Sequence, residues 1–295
     1  MYIILYYNIL INIYRNGRLY MKKFSCRNRI LQSDGSGLVM GIINVTPDSF
    51  SDGGEYFVSS AALAGINRMI ADGADIVDIG AMSTRPGSLP VTVSEEIKRL
   101  QPVLCEAVKL ENVIISVDTL NPETAEFALA NGAHIINDVS GVFNESMASV
   151  VKKYSAGWII THTAGVPSGS IVEYKDGVVS AVREYFEDVL NKCEAFGIDK
   201  SHICLDAGFG FAKTTADNIE LLKNLEKVIL PDVAFLTALS RKRFIGEITK
   251  VENPADRLSG TLAADIIALM KGCDILRVHD VAETRHTIAI YNSIK

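Results

Sequence analysis

At 295 residues the chain has room for one large domain or two small ones, and 48% hydrophobic with 22% charged residues places it among soluble globular proteins. A net charge of −6 argues against nucleic acid or an anionic membrane as the main partner, so basic contacts to any anionic small substrate must be concentrated locally. The five cysteines (Cys26, Cys105, Cys193, Cys204, Cys273) are odd in number, widely spaced and without a CxxC pair, which reads as reduced core thiols of a cytoplasmic protein.

In chain order, the first segment stands apart. Residues 1–14, "MYIILYYNILINIY", are apolar and uncharged, yet too short for a membrane span and without the basic start or cleavage site of a signal peptide. Residues 1–20 are therefore expected to be an upstream extension outside the fold, with Met21 as the working start and residues 21–37 leading into a domain over 38–295. From there, eight short apolar runs recur at 38–43, 74–80, 112–118, 133–139, 157–163, 202–208, 233–240 and 273–280. Most are β-branched and nearly continuous in apolarity, the pattern of parallel strands covered on both faces.

Helical periodicity separates them, as in "SSAALAGINRMIADG" and "SEEIKRLQPVLCEAVKL". "PETAEFALANG" opens on proline and closes on glycine, a frame suited to one helix. Eight β–α cycles without a linker or a shift in composition predict a single (β/α)8 barrel of the α/β class rather than a doubly wound sheet.

In such a barrel the strands' C-terminal ends build the active site. Those ends carry Asn44, Asp78, Asp118, Asn137 with Asp138, His162, Asp206, Ser240 to Lys242, and Arg277 with His279. One such residue is ordinarily a helix cap. A polar group from every strand at one rim asks for a ligand or for mutual partners, because a buried carboxylate is costly unless paired.

Several ends carry more. After the second run, Thr84, Arg85 and Pro86 in "DIGAMSTRPGS" fix a guanidinium beside a stiff proline, suited to carboxylate or phosphate. "DAGFGFAK" (206–213) lets backbone approach a ligand, with Phe209 and Phe211 as flat walls and Lys213 either a solvated lysine or a further ligand or anion contact. It lacks the third glycine of a dinucleotide fingerprint. "SRKR" and "RVHD" bring four cationic side chains and a histidine to adjacent strands, the local basic patch that the overall charge requires.

Taken together, "MGIINVTPDSFSDGG", "DIGAMSTRPG", "SVDT", "IIND", "DAGFGFAK", "SRK" and "RVHDV" resemble the dihydropteroate synthase family, in order, over residues 38–295. The resemblance implies a transferase of folate biosynthesis joining 7,8-dihydropterin-6-ylmethyl diphosphate to p-aminobenzoate with release of pyrophosphate. It implies Mg²⁺, held by Asn44, as cofactor. Asp118, Asn137 and Asp206 would read the pterin's amino-pyrimidinone edge, with Asp78 nearby and Lys242 on the acceptor side. Arg277 and His279 would hold the diphosphate. Residues 45–52 would close as a lid, with Phe50 against a sulfonamide-sensitive p-aminobenzoate pocket and Asp52 near the metal. The family's usual setting is a cytoplasmic homodimer without nucleic-acid or membrane partners.

Three positions depart from the family pattern. Met82 stands for a glutamate, Ala207 for a proline, and Thr161 for a methionine before His162. They motivate one alternative, a pterin-binding paralogue without synthase activity. A second, a pterin-dependent methyltransferase, would not need "STRPG", "SRK" or "RVHD".

Overall fold

A computed structural model describes residues 21–45, 54–82, 91–165 and 170–295. The expectations for residues 1–20, for the lid residues Phe50 and Asp52, and for Thr84, Arg85 and Pro86 lie outside the described residues.

The described residues open with an antiparallel hairpin, β1 (Lys22–Cys26) and β2 (Arg29–Ser33). Eight parallel strands follow: β3 (Leu38–Asn44), β4 (Ile76–Gly80), β5 (Ile114–Asp118), β6 (Ile135–Asp138), β7 (Gly157–Thr161), β8 (Ile203–Asp206), β9 (Ala234–Thr237) and β10 (Ile275–Val278). They pair in sequence order, and β10 closes on β3. The (β/α)8 barrel expected from the alternating pattern is the observed fold.

Nine α-helices lie among the described residues: α1 (Gly54–Ala71), α2 (Val93–Ala107), α3 (Pro122–Ala130), α4 (Glu145–Tyr154), α5 (Val178–Phe196), α6 (Thr215–Lys223), α7 (Arg243–Thr249), α8 (Leu258–Met270) and α9 (Val281–Ile294). Their starts follow local chemistry. The Thr92 hydroxyl accepts from Glu95 N, Pro122 occupies the first turn of α3, and Thr214 with Asp217 forms a reciprocal capping box on α6.

Two cores result from the strands' period of two. One face of each strand packs on the helices, through Val77, Ile79, Ile115, Val117, Ile136 and Trp158 among others. The other face fills the barrel: Met40, Ile76, Ile114, Ile135, Ile159, Cys204, Leu236 and Ile275 form an apolar plug with Phe24 and Cys26 of the hairpin. Gly157 is needed there, since a Cβ would lie 2.8 Å from the Phe24 ring and 2.9 Å from Cys26 Sγ. The hairpin thus closes the N-terminal end of the barrel, and Lys22 and Ser33 anchor it to the Asp274 carboxylate at 2.8 and 2.7 Å. All five cysteines are free thiols. Burial raises the thiol pKa of Cys193 and Cys273 to about 12, so neither is poised as a nucleophile.

Candidate active site

The strands that are apolar inside at the base become polar inside one step of the same period further on. Ile76 is followed inward by Asp78 and Gly80, Ile114 by Ser116 and Asp118, Ile135 by Asn137, Ile159 by Thr161, Cys204 by Asp206, and Ile275 by Arg277. Gly80, Asp118, Asn137 and Ile159 lie side by side in the ladder, as do Thr161 and Asp206. Asp138 has the opposite parity. Its carboxylate accepts from Ser140 N at 2.9 Å and Trp158 Nε1 at 3.2 Å, so it serves the shell.

At the centre, the Arg277 guanidinium joins two strands. Nε donates to Asp78 Oδ2 at 2.8 Å and Nη2 to Asp118 Oδ2 at 2.7 Å. Burial alone would lower the guanidinium pKa, but Asp78 and Asp118 outweigh it and hold it charged. Burial pushes Asp118 up to about 7 despite Arg277. The same Asp78 oxygen accepts from Asn137 Nδ2 at 2.9 Å. Asp78 thereby fixes which way the Asn137 amide points and leaves its carbonyl oxygen as the group on offer. Asn44 reaches this cluster from β3: a Cβ on Gly80 would be 3.3 Å from Asn44 Oδ1 and 3.6 Å from Asp118 Cβ.

Four polar atoms here, Asp78 Oδ1, Ser116 Oγ, Asn137 Oδ1 and Thr161 Oγ1, are buried with no hydrogen-bond partner among the described residues. They come from four consecutive strands, β4 to β7, and all have inward parity. A buried polar atom without a partner costs about 1–3 kcal/mol, so a contiguous arc of four points to a polar ligand.

Asp206 faces that arc from β8. Its Oδ1 accepts from Gly208 N at 2.8 Å, and burial raises its pKa. Lys242 caps the far side, its ammonium 4.9 Å from the centroid of the Phe211 ring. Burial lowers its pKa to about 8 against the pull of Asp206. Next to it, His279 Nδ1 and Ser240 Oγ are 2.9 Å apart.

Other residues sit differently from expectation. Phe209 is fully buried on the helix-facing side, stacked on Phe244 with ring centroids 6.2 Å apart. The strand ends at Asp206, and the turn at Gly208 (φ +64°) sends Phe209 to the helix-facing core, so it is a core ring and not a wall of the mouth. Lys213 is 2% exposed rather than solvated. Its ammonium contacts His162 Nδ1, His162 O, Gly208 O and Phe211 O at 3.0–3.2 Å. Burial lowers its pKa to about 7, and burial with Lys213 beside it lowers His162 to about 3, leaving a neutral imidazole to accept.

The expected patch of four cations is largely paired. Arg241 is bidentate to Asp280 (2.6 and 3.2 Å), Arg243 meets Glu247 on the exposed side of α7 at 3.2 Å, and Arg277 holds its two aspartates. Lys242 is the member whose ammonium remains at the mouth beside Phe211. Ser116 opens the "SVDT" motif but is not among the expected site residues, although its place two residues before Asp118 in a strand of alternating faces is signal enough.

Fold and site together define a pterin-binding barrel: residues 40–279 match the family model described as pterin binding enzyme. The dihydropteroate synthase of Escherichia coli (strain K12) is 41% identical over 247 residues, spanning 83% of this chain and 87% of that protein. Among solved structures, the Xanthomonas albilineans dihydropteroate synthase with 4-aminobenzoic acid superposes with a TM-score of 0.87 at 40% identity, covering 93% of this chain and 98% of that one. The same enzyme in complex with 7,8-dihydropteroate gives a TM-score of 0.81 at 36% identity, covering 92% and 98%. The chain belongs to the dihydropteroate synthase family of pterin-binding enzymes.

Proposed function

We propose that the chain joins 7,8-dihydropterin-6-ylmethyl diphosphate to p-aminobenzoate, giving 7,8-dihydropteroate and pyrophosphate. The observation that carries the pterin half is the arc of unpartnered buried polar atoms on β4 to β7, facing the Asp206 carboxylate. An amino-pyrimidinone edge presents adjacent N–H donors for which a carboxylate and an amide carbonyl are matched acceptors. On this reading Asp206 and Asn137 Oδ1 take those donors, with Asp118 beside them. Lys242 donates to the ring's acceptor side, and Phe211 supports its ammonium.

Arg277 offsets part of the charge of Asp78 and Asp118, and its guanidinium reaches the rim where the diphosphate departs. His279, oriented by Ser240, would donate a further hydrogen bond to that leaving group. The attacking arylamine is a neutral nucleophile, so a strong general base is not required. Positive charge developing at the pterin methylene is shared by the ring in a loose displacement.

Asn44 fits one oxygen ligand of Mg²⁺, since its amide oxygen lies beside Gly80 at the barrel's open end and Mg²⁺ takes few protein oxygens, with phosphates and water completing its shell. When bound, the ion would neutralise charge on the departing diphosphate. We further propose that the enzyme works in the cytoplasm as a homodimer. Ile267 and Met270 on α8 and Ile290 and Ile294 on α9 are exposed on two helices packed side by side. Sedimentation showing only monomer at micromolar concentration would overturn that assembly.

The direct test supplies purified protein with Mg²⁺, the pterin diphosphate and p-aminobenzoate, and measures pyrophosphate and dihydropteroate. Stoichiometric formation of both is expected, with competition by a sulfonamide against p-aminobenzoate. Pterin binding without pyrophosphate release would overturn the synthase reading in favour of a binding paralogue.

A further inference from the structure

The segment from Asp206 to Lys213 carries Asp206 of the pterin subsite and Phe211, on which the Lys242 ammonium rests, yet beyond Asp206 it leaves the sheet and is held to a neighbouring segment by a single isolated bridge, Ala212 to Ile171. It turns at Gly208 (φ +64°), where a Cβ would fall 2.0 Å from the His162 carbonyl oxygen. The backbone is thus pressed against the end of β7, and the carbonyls of Gly208 and His162 converge.

One group reconciles them. Lys213 Nζ donates to Gly208 O at 3.0 Å, His162 O at 3.2 Å and Phe211 O at 3.1 Å, and lies 3.0 Å from His162 Nδ1. Gly208 in turn donates its N–H to Asp206 Oδ1 at 2.8 Å. A continuous chain of bonds therefore runs from the ammonium to the carboxylate that reads the pterin. A second tie comes from α6, where Asn218 Oδ1 accepts from Gly210 N at 2.8 Å.

A buried ammonium served by carbonyl oxygens instead of a carboxylate is a costly way to fill space, and an apolar side chain of similar volume would do so more cheaply. We propose that Lys213 is a positioning residue for the pterin subsite: its ammonium ties the Asp206–Lys213 loop to the end of β7 and so fixes the Asp206 carboxylate and the Phe211 ring. This inference rests on the pterin reading above.

The test compares Lys213→Met with Asp206→Asn, measuring kcat, KM for each substrate, pterin binding by fluorescence, and thermal melting. Lys213→Met is expected to raise KM for the pterin diphosphate about 10-fold or more, since a small misplacement of a recognition group costs that much, while KM for p-aminobenzoate stays within about twofold. Hydrogen exchange at the Gly208, Gly210 and Phe211 amides should quicken in the same variant. If Lys213→Met folds and its pterin KM is unchanged, or if both KM values rise together, the proposal is overturned. If that variant does not fold, Lys213→Arg is judged by the same criterion: a rise confined to the pterin supports the proposal, and any other pattern overturns it. Asp206→Asn reports on the underlying reading independently, because intact pterin binding in that variant would overturn the subsite itself whatever Lys213 does.

Discussion

The two ends of the barrel are built from the same strands and solve opposite problems. At the base, the inward positions are Met40, Ile76, Ile114, Ile135 and Ile159, sealed by Phe24 of the hairpin, and the plug is apolar. Two residues further along the same strands, the inward positions are Ile42, Asp78, Ser116, Asn137 and Thr161, and four of these expose a buried polar atom without a partner. The base uses its interior for cohesion, and the mouth keeps its interior uncompensated so that a polar heterocycle can complete it. Stability and recognition are thus separated along the barrel axis by about 7 Å of strand.

The sharpest way to break this contrast is at the base. Phe24→Ala removes the ring that presses on Gly157 and is expected to cost about 3–5 kcal/mol of stability. The folded fraction should retain wild-type KM values for both substrates. Urea unfolding combined with initial-rate kinetics checks both halves, and altered KM would show that the base communicates with the site.

The complementary change is at the mouth. Asp206→Asn should lower kcat/KM for the pterin diphosphate by about 100-fold, or about 2.7 kcal/mol of transition-state binding. Burial already disfavours the carboxylate charge here, so the melting temperature of the unliganded variant is expected to hold or rise. A large loss of stability instead would make Asp206 a structural residue.

Acid–base behaviour distinguishes the mouth, where a carboxyl and an ammonium have values shifted toward neutrality. On the proposed reading Asp118 must be ionised beside the pterin's donors, and burial has raised it to about 7, so affinity is expected to fall as pH drops through that value. On the same reading Lys242 must keep its proton to donate, and burial has lowered it to about 8, so affinity is expected to fall again above that value. The profile of kcat/KM for the pterin should therefore be a narrow bell centred between the two, each limb approaching tenfold per pH unit. Asp118→Asn should remove the acid limb at the cost of overall activity; an unchanged limb would assign it to another group.

Much of this is legible in the sequence because the strand period is short and regular. The eight apolar runs mark the barrel, and Asp78, Asp118, Asn137, Asp206 and Arg277 each fall on the inward face of a strand end. Pairing across strands is not legible in the same way. That Arg277 turns to Asp78 and Asp118, from residues 199 and 159 positions away, depends on β10 closing against β3. Arg241 cannot be told from Lys242 in "SRKR", because only the turn after β9, with Arg241 at φ +60°, sends one to Asp280 and the other to the mouth. Phe209 departs from its expected place for a related reason: beyond Asp206 the chain leaves the strand, and its two aromatics part, one to the core and one to Lys242. Asp265 reads as a polar position on a helix, yet it is fully buried beside Asp280 and raised to about 8.

The smallest expected effect probes whether an unpartnered atom at the mouth is there for the ligand. Thr161 is fully buried, lies beside Asp206 in the ladder, and keeps its hydroxyl without a partner among the described residues. Thr161→Val preserves shape and removes that hydroxyl. If the hydroxyl serves only the scaffold, the variant should gain stability of about 1 kcal/mol and bind pterin as before. If it completes a hydrogen bond to the heterocycle, the same gain should come with a pterin KM raised about three- to fivefold, about the worth of one neutral hydrogen bond. The arc of unpartnered atoms predicts the second outcome, and paired melting and binding measurements decide it. Retained affinity in Thr161→Val would remove its hydroxyl from the recognition surface.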